Sequence, residues 1–217
     1  MRFLALLSAL LLIGLAQSPA RASTIAYEVQ PDTPGNQAAG VLGMLFETTE
    51  EIVVDRLGVF DDNSDGVVGP LTAELWSRSG NTGTAKLAVL TFNSSSPGTL
   101  VGGSRFKSLA TELLLPMGQY AIVAYGFSAN DRNGNKGTAA GTWVVNDGGG
   151  AIVFAGNRYG GTRGTTIGNN ADTNIPGQYA AGTFSFTLPS VPLPASLPLL
   201  AAGAGLLALG RRRTDRG

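Results

Sequence analysis

What most constrains this chain is its punctuation. Short apolar runs alternate with clusters of Gly, Asn, Asp, Ser and Thr, and between residues 23 and 190 no run combines a helical period with capping signals. That pattern predicts many short strands joined by turns. Nine strands are expected, at 41–47, 51–61, 71–78, 86–92, 105–115, 119–127, 142–146, 151–155 and 182–188. In the last, Phe184, Phe186 and Leu188 alternate with Thr183, Ser185 and Thr187, which gives one dry face and one wet face. The run YAIVAYGF at 120–127 is apolar on both faces and reads as a central strand between packed layers. Residues 157–178, rich in Gly, Thr and Asn, read as a long loop. Nine short strands without a fixed repeat predict an all-β fold, a β-sandwich of jelly-roll or immunoglobulin-like topology, with a barrel as the alternative.

The termini differ from this middle. Met1 and Arg2 precede an apolar run from Phe3 to Leu15, and Ala20-Arg21-Ala22 puts small residues at −3 and −1 of a cut before Ser23. Charge, length and cleavage chemistry are those of a signal peptide over 1–22, to be removed by signal peptidase. The run is short of the roughly 20 residues that span a bilayer. At the other end, Val191-Pro192-Leu193-Pro194-Ala195 leads into an apolar stretch to Leu209, and Arg211, Arg212 and Arg213 follow. Arginines after an apolar helix hold that end in the cytoplasm. The stretch is short and carries Gly203, Gly205 and Gly210, as suits a weak, temporary transmembrane anchor. The expected organisation is a signal peptide at 1–22, a β-domain at 23–190 and a tail at 191–217.

The 168 residues of the middle suit one domain. They hold 9 Lys/Arg against 14 Asp/Glu, an acidic balance that argues against nucleic-acid binding. The chain has no cysteine, so an exported body must be stabilised by its core and not by disulfides. It also has no histidine, which excludes a Ser-His-Asp triad, a histidine-zinc site and histidine acid–base steps. Glycoside hydrolysis by two carboxylates stays open on these grounds.

The tail resembles the VPLPA variant of PEP-CTERM sorting signals, with Pro motif, apolar helix and arginine cluster in the same order over the last 27 residues. The resemblance implies a Gram-negative bacterium, an exosortase-type membrane enzyme as processing partner, cleavage near the Pro motif, and delivery to the cell surface among exopolysaccharide. The tail is then an address and not part of the working domain. Within 41–127, the stretches LGVFDDNSDG, LTAELWS and GGSRFKSLATELLLPMGQYAIVAYG are similar to a sandwich domain common in surface proteins with such tails. That second resemblance implies a fold and no particular activity.

Two stretches invite a site. Asp61-x-Asn63-x-Asp65-Gly66 matches the first half of a calcium-loop pattern, in which alternate oxygens face one centre and the glycine allows a sharp turn. Counting Asp61 as position one, position twelve is Thr72, and Glu74 lies two further on, so this is not an EF-hand. The readings are a structural calcium held with help from Asp62 or Glu74, or a turn closed by Asp and Asn bonding their own backbone. A second polar loop at 130–137 alternates Asp131, Asn133 and Asn135 but carries Arg132 and Lys136, and it reads as a turn. On the strand at 71–78, Trp76 shares a face with Thr72, Glu74 and Arg78, opposite Ala73 and Leu75. An exposed indole beside Glu74 and Arg78 would stack on a sugar ring; the other reading is an indole packed against a cross-strand neighbour. Trp143, on the face of Val145, reads as core, and Tyr159 and Tyr179 as a binding edge or a cover. Glu47, Glu50, Glu51 and Asp55 read as a solvated strand end and not as a catalytic pair. No cofactor is required by this sequence. The function it predicts is an exported, non-catalytic surface or matrix protein associated with extracellular polysaccharide. The alternatives are a specific carbohydrate-binding module and a polysaccharide hydrolase.

Overall fold

The structure is a computed structural model, and it describes residues 22–29, 40–134, 143–172 and 181–189. The chain divides into two compact units. One joins Met1–Ala20 to Ser190–Gly217 and lies outside the described residues, as does nearly all of the expected signal peptide and the whole sorting tail; the other is Arg21–Pro189.

The described residues of this second unit form thirteen strands: β1 (Thr24–Ile25), β2 (Tyr27–Val29), β3 (Leu42–Thr48), β4 (Ile52–Phe60), β5 (Leu71–Ser79), β6 (Thr82–Phe92), β7 (Thr99–Val101), β8 (Ser104–Leu115), β9 (Gly118–Tyr125), β10 (Trp143–Val145), β11 (Ile152–Tyr159), β12 (Asn170–Asp172) and β13 (Gly182–Thr187). Every strand pairing is antiparallel. Five strands form one sheet in the order β1-β13-β4-β8-β7, six form another in the order β12-β11-β3-β9-β5-β6, and β10 pairs with β2. The fold is all-β, and among the described residues there is no α-helix.

Alternation along the strands explains the core. Leu57 and Val59 of β4 and Phe184 and Phe186 of β13, from the five-stranded sheet, meet Phe46 of β3, Leu71 and Leu75 of β5 and Ile122 of β9, from the six-stranded sheet. The rings of Phe46 and Phe184 stack at 4.8 Å between centroids, and Phe46 and Tyr120 at 5.6 Å. Each such side chain taken from water stabilises the fold by about 1.5–3 kcal/mol before entropy is set against it. Thr183 and Ser185, expected on a wet face, are themselves buried and hydrogen-bonded: Thr183 Oγ1 donates to Tyr27 O at 3.0 Å and Ser185 Oγ to Asp55 Oδ1 at 2.5 Å.

All nine expected strands are present, with ends displaced by a few residues. The expected loop at 157–178 is corrected in part. Its first three residues complete β11, and 170–172 form β12 on the edge of the six-stranded sheet; 173–178 lie outside the described residues. Strand β9 is central, paired to β3 on one side and β5 on the other. Its two apolar faces have two destinations: Ile122 and Ala124 enter the main core, while Ala121 and Val123 join Val41, Leu45, Trp76 and Ile167 in a second, smaller cluster.

Candidate functional site

The acidic turn follows β4. Asp61 is buried, and each oxygen of its carboxylate has a partner within the protein: Oδ1 accepts from the Gly66 amide at 3.1 Å and Oδ2 from Arg105 Nε at 2.6 Å. Arg105 stands on β8 opposite Val59, so sheet register places its guanidinium over the turn. A short 3-10 turn, Asp62–Ser64, carries the chain onward, with Asn63 at φ 63° and Ser64 at φ 59°. Left-handed backbone is tolerated by Asn because its short polar side chain bonds locally. Asn63 and Asp65 are exposed, apart from the buried Asp61.

The described part of the second polar loop, 130–134, joins this turn, and 135–137, with Asn135 and Lys136, lie outside the described residues. Asp131 is buried, and its two oxygens accept from the amides of Val68 and Gly69, each at 2.8 Å. Arg132 Nε approaches Asp62 Oδ2 at 4.0 Å. Burial raises the Asp62 carboxyl above its ordinary range, and Asp65, Asp61 and Asp131 push the same way while Arg132 opposes them. Carboxylates therefore gather here, but the one at the first position of the calcium pattern is already neutralised by a guanidinium. Among the described residues no group of three or more carboxylates is arranged to hold a metal ion. Asp61, Asn63 and Asp65 thus stand on a turn whose first carboxylate is paired with Arg105 and whose other two side chains are exposed.

The face of Trp76 differs from the exposed platform expected for sugar stacking. Trp76, Glu74 and Arg78 do share one face, but all three are buried, with Trp76 only 8% exposed and Glu74 fully enclosed. The cover is a strap, residues 160–169, that returns from β11 across the outer face of the six-stranded sheet and plugs Ile167 against Trp76, Val41 and Leu45. The strap lies so close that a Cβ on Gly168 would stand 2.6 Å from Cβ of Arg158, and its φ is +104°. Arg158 fastens the same stretch, with Nε donating to Gly168 O at 3.0 Å and Nη2 to Asn169 O at 2.7 Å.

Beneath the strap Glu74 is the hub. Trp76 Nε1 donates to Oε2 at 2.9 Å; Tyr125 Oη donates to Oε1 at 3.0 Å; Lys86 Nζ lies 2.6 Å from Oε1 and 5.2 Å from the Trp76 ring centroid. Burial raises the Tyr125 hydroxyl above its usual range, and the Glu74 carboxylate it serves adds to that. Arg78 acts separately. Its guanidinium donates to the carbonyls of Tyr120, Gly80 and Phe46 and reaches Glu47 at 3.3 Å, tying β5 to β9, to its own hairpin turn and to β3. Both charged groups are internal clamps.

The remaining candidates are dispersed. Glu47 stands on β3 and Asp55 on β4, in different sheets, and Glu50 and Glu51 are exposed. Tyr159 is half-exposed at the end of β11; Tyr179 lies outside the described residues. Trp143 opens β10 opposite Val29, and Val145 on that strand is half-exposed. A cleft of about 480 Å³ beside β3, β11 and β12 is lined by Leu45, Phe154, Arg158 and Asp172 among others. No protein-family model, curated protein or solved structure matches this chain.

Proposed function

We propose that this chain is an exported, non-catalytic surface or matrix protein: a β-sandwich body, delivered by a signal peptide, sorted through its C-terminal tail by an exosortase-type enzyme, and associated with extracellular polysaccharide. The observation that carries the reading is the order of parts in the sequence, with Ala20-Arg21-Ala22 before the body, and Val191-Pro192-Leu193-Pro194-Ala195, an apolar stretch and Arg211-Arg212-Arg213 after it. The compactness of the unit Arg21–Pro189 supports a self-contained body. A core shared by two antiparallel sheets supports the sandwich. The clamping of Asp61, Glu74 and Asp131 supports a structural and not a catalytic use of the buried carboxylates. Trp76 beneath its strap argues against the variant of this reading in which that indole is an open sugar platform.

The test is the intact mass of the mature protein recovered from its own cells, with fractionation. Loss of residues 1–22 and of the segment after the Pro motif, with recovery from the surface or medium, is the expected result. An uncut chain in the cytosol would refute the proposal.

A further inference from the structure

The turn between β6 and β7 carries Asn93-Ser94-Ser95, an asparagine with a serine two residues on and no proline between. That is the acceptor pattern for saccharide transfer to an asparagine side chain of an exported protein. No other asparagine of the chain has Ser or Thr two residues on. A pattern this short gains meaning from its placement and its side-chain geometry.

Local structure builds a fixed base and an open tip. Strand β6 ends in Phe92, whose side chain is buried in the main core and sets where the turn begins. Asn93 and Ser96 then close on each other: Asn93 N donates to Ser96 O at 3.2 Å and Ser96 N to Asn93 O at 3.0 Å. After Pro97 the chain passes close to β8 at Gly98, where φ is +81° and a Cβ would stand 2.5 Å from Phe106 O. Only glycine fits there, so the return to β7 follows one path. Between these anchors Ser94, Ser95 and Ser96 are exposed, and Asn93 is partly exposed.

The Asn93 carboxamide is already oriented. Its Oδ1 accepts from Ser95 Oγ at 2.8 Å and from the Ser96 amide at 2.9 Å. The bond from the Ser96 amide is ordinary turn chemistry. The bond from Ser95 ties no backbone group and is not needed to close the turn. The nitrogen is left over, since Nδ2 makes no hydrogen bond to the described residues. Nδ2 carries two donors on a planar group, and holding Oδ1 against the turn sets it on the other side of that group. The hydroxyl that the acceptor pattern requires thus touches the amide that the pattern modifies, at an exposed tip of the folded chain.

We infer that Asn93 is an N-glycosylation site, whose Nδ2 receives the saccharide of a polyprenyl-diphosphate-linked donor. Nδ2 bonds to the anomeric carbon. The bond from that carbon to the diphosphate oxygen breaks, the lipid diphosphate leaves with the electron pair, and one Nδ2 proton passes to a base of the transferase. The inference rests on the surface-protein reading above and deepens it, because it joins the body to carbohydrate covalently, through one residue on the turn that links the two large sheets.

The test is fragmentation mass spectrometry of the mature chain recovered from the surface fraction of its own cells and cut with trypsin. Cleavage after Lys86 and Arg105 yields a peptide, 87–105, in which Asn93 is the one asparagine. A saccharide mass on Asn93 is expected. Asn93→Gln should abolish it. Ser95→Ala, which keeps the bond from the Ser96 amide, should lose it as well, while Ser95→Thr and Ser94→Ala should retain it, all with the chain still at the surface. A bare peptide from a processed, surface-located chain would overturn this inference and leave the surface reading standing. The mass on a serine, or its persistence in Ser95→Ala, would overturn it too. An uncut cytosolic chain with a bare peptide would sink both readings together.

Discussion

Replacing Arg105 by methionine isolates the claim that a guanidinium holds the acidic turn. Asp61 Oδ2 would lose a charge-assisted bond of 2.6 Å and keep only the Gly66 amide on its other oxygen. The two ends of the pair differ in solvent access: the Asp61 side chain is 1% exposed and that of Arg105 is 17%. The variant therefore strands a carboxylate that water reaches poorly. Breaking a buried pair from one side costs about 3–5 kcal/mol, and the partial exposure of the arginine end places this case near about 3 kcal/mol. For a body of this size that is a fall in Tm of about 6–12 °C. Asp61→Asn combined with Arg105→Met should recover about 2 kcal/mol, because the stranded charge is then gone. Urea and thermal unfolding of the full chain at pH 7 measure all three. Calcium at millimolar concentration should leave the wild-type melt in place, since its first ligand is engaged by Arg105, and should raise that of Arg105→Met, whose carboxylate is released. A cost below about 1 kcal/mol would refute the buried-pair argument. A rise of several degrees in the wild type with calcium would restore the metal reading of Asp61, Asn63 and Asp65.

Three further substitutions probe other parts. Ile167→Ala removes the plug of the strap and should cost about 2 kcal/mol, with greater acrylamide quenching of Trp76 fluorescence in a Trp143→Phe background; unchanged quenching would mean that the strap is held by other contacts. Asp62→Asn should raise Tm at pH 7. The Asp62 carboxyl is raised in the folded state, so its ionisation lowers stability as pH climbs above the ordinary value of 3.8; the advantage of the variant should fade as pH falls back to that value, and a gain that grows on acidification would contradict the assignment. Tyr27→Phe removes the buried hydroxyl that donates to Gly182 O and should cost about 1 kcal/mol in urea unfolding, with no loss expected only if that carbonyl finds another donor.

The strands were legible because each long one carries its own alternation or its own apolar run. What escaped were elements that exist through pairing alone. Strands β1, β2, β7 and β12 are two or three residues long and gain their order from β13, β10, β8 and β11. The start of β6 was hidden by Thr82, Gly83, Thr84 and Ala85, which lack an apolar signal but close a hairpin with β5 through Gly80, at φ +57°. The end of β11 was hidden by Gly156. That glycine reads as a loop onset, yet at φ +139° it follows a β-bulge at Ala155 and is itself where pairing with β3 resumes, at Gly156–Leu45.

The site was legible face by face and no further. Period two placed Thr72, Glu74, Trp76 and Arg78 together, as the structure does, but polarity was a poor guide to exposure, because the buried charges there and in the acidic turn have partners distant in sequence. Glu74 meets Tyr125 and Lys86, Asp61 meets Arg105, and Asp131 meets the amides of Val68 and Gly69. No local spacing announces such pairs. They are made by register and by straps that fold back over a sheet, and a carboxylate satisfied in this way is indistinguishable in sequence from one that awaits a ligand. The distinction is physical: a group whose hydrogen-bonding capacity is met internally tends to fix structure, whereas one held in place with capacity left over is ready to bind. By that criterion Asp61 and Glu74 belong to the fold.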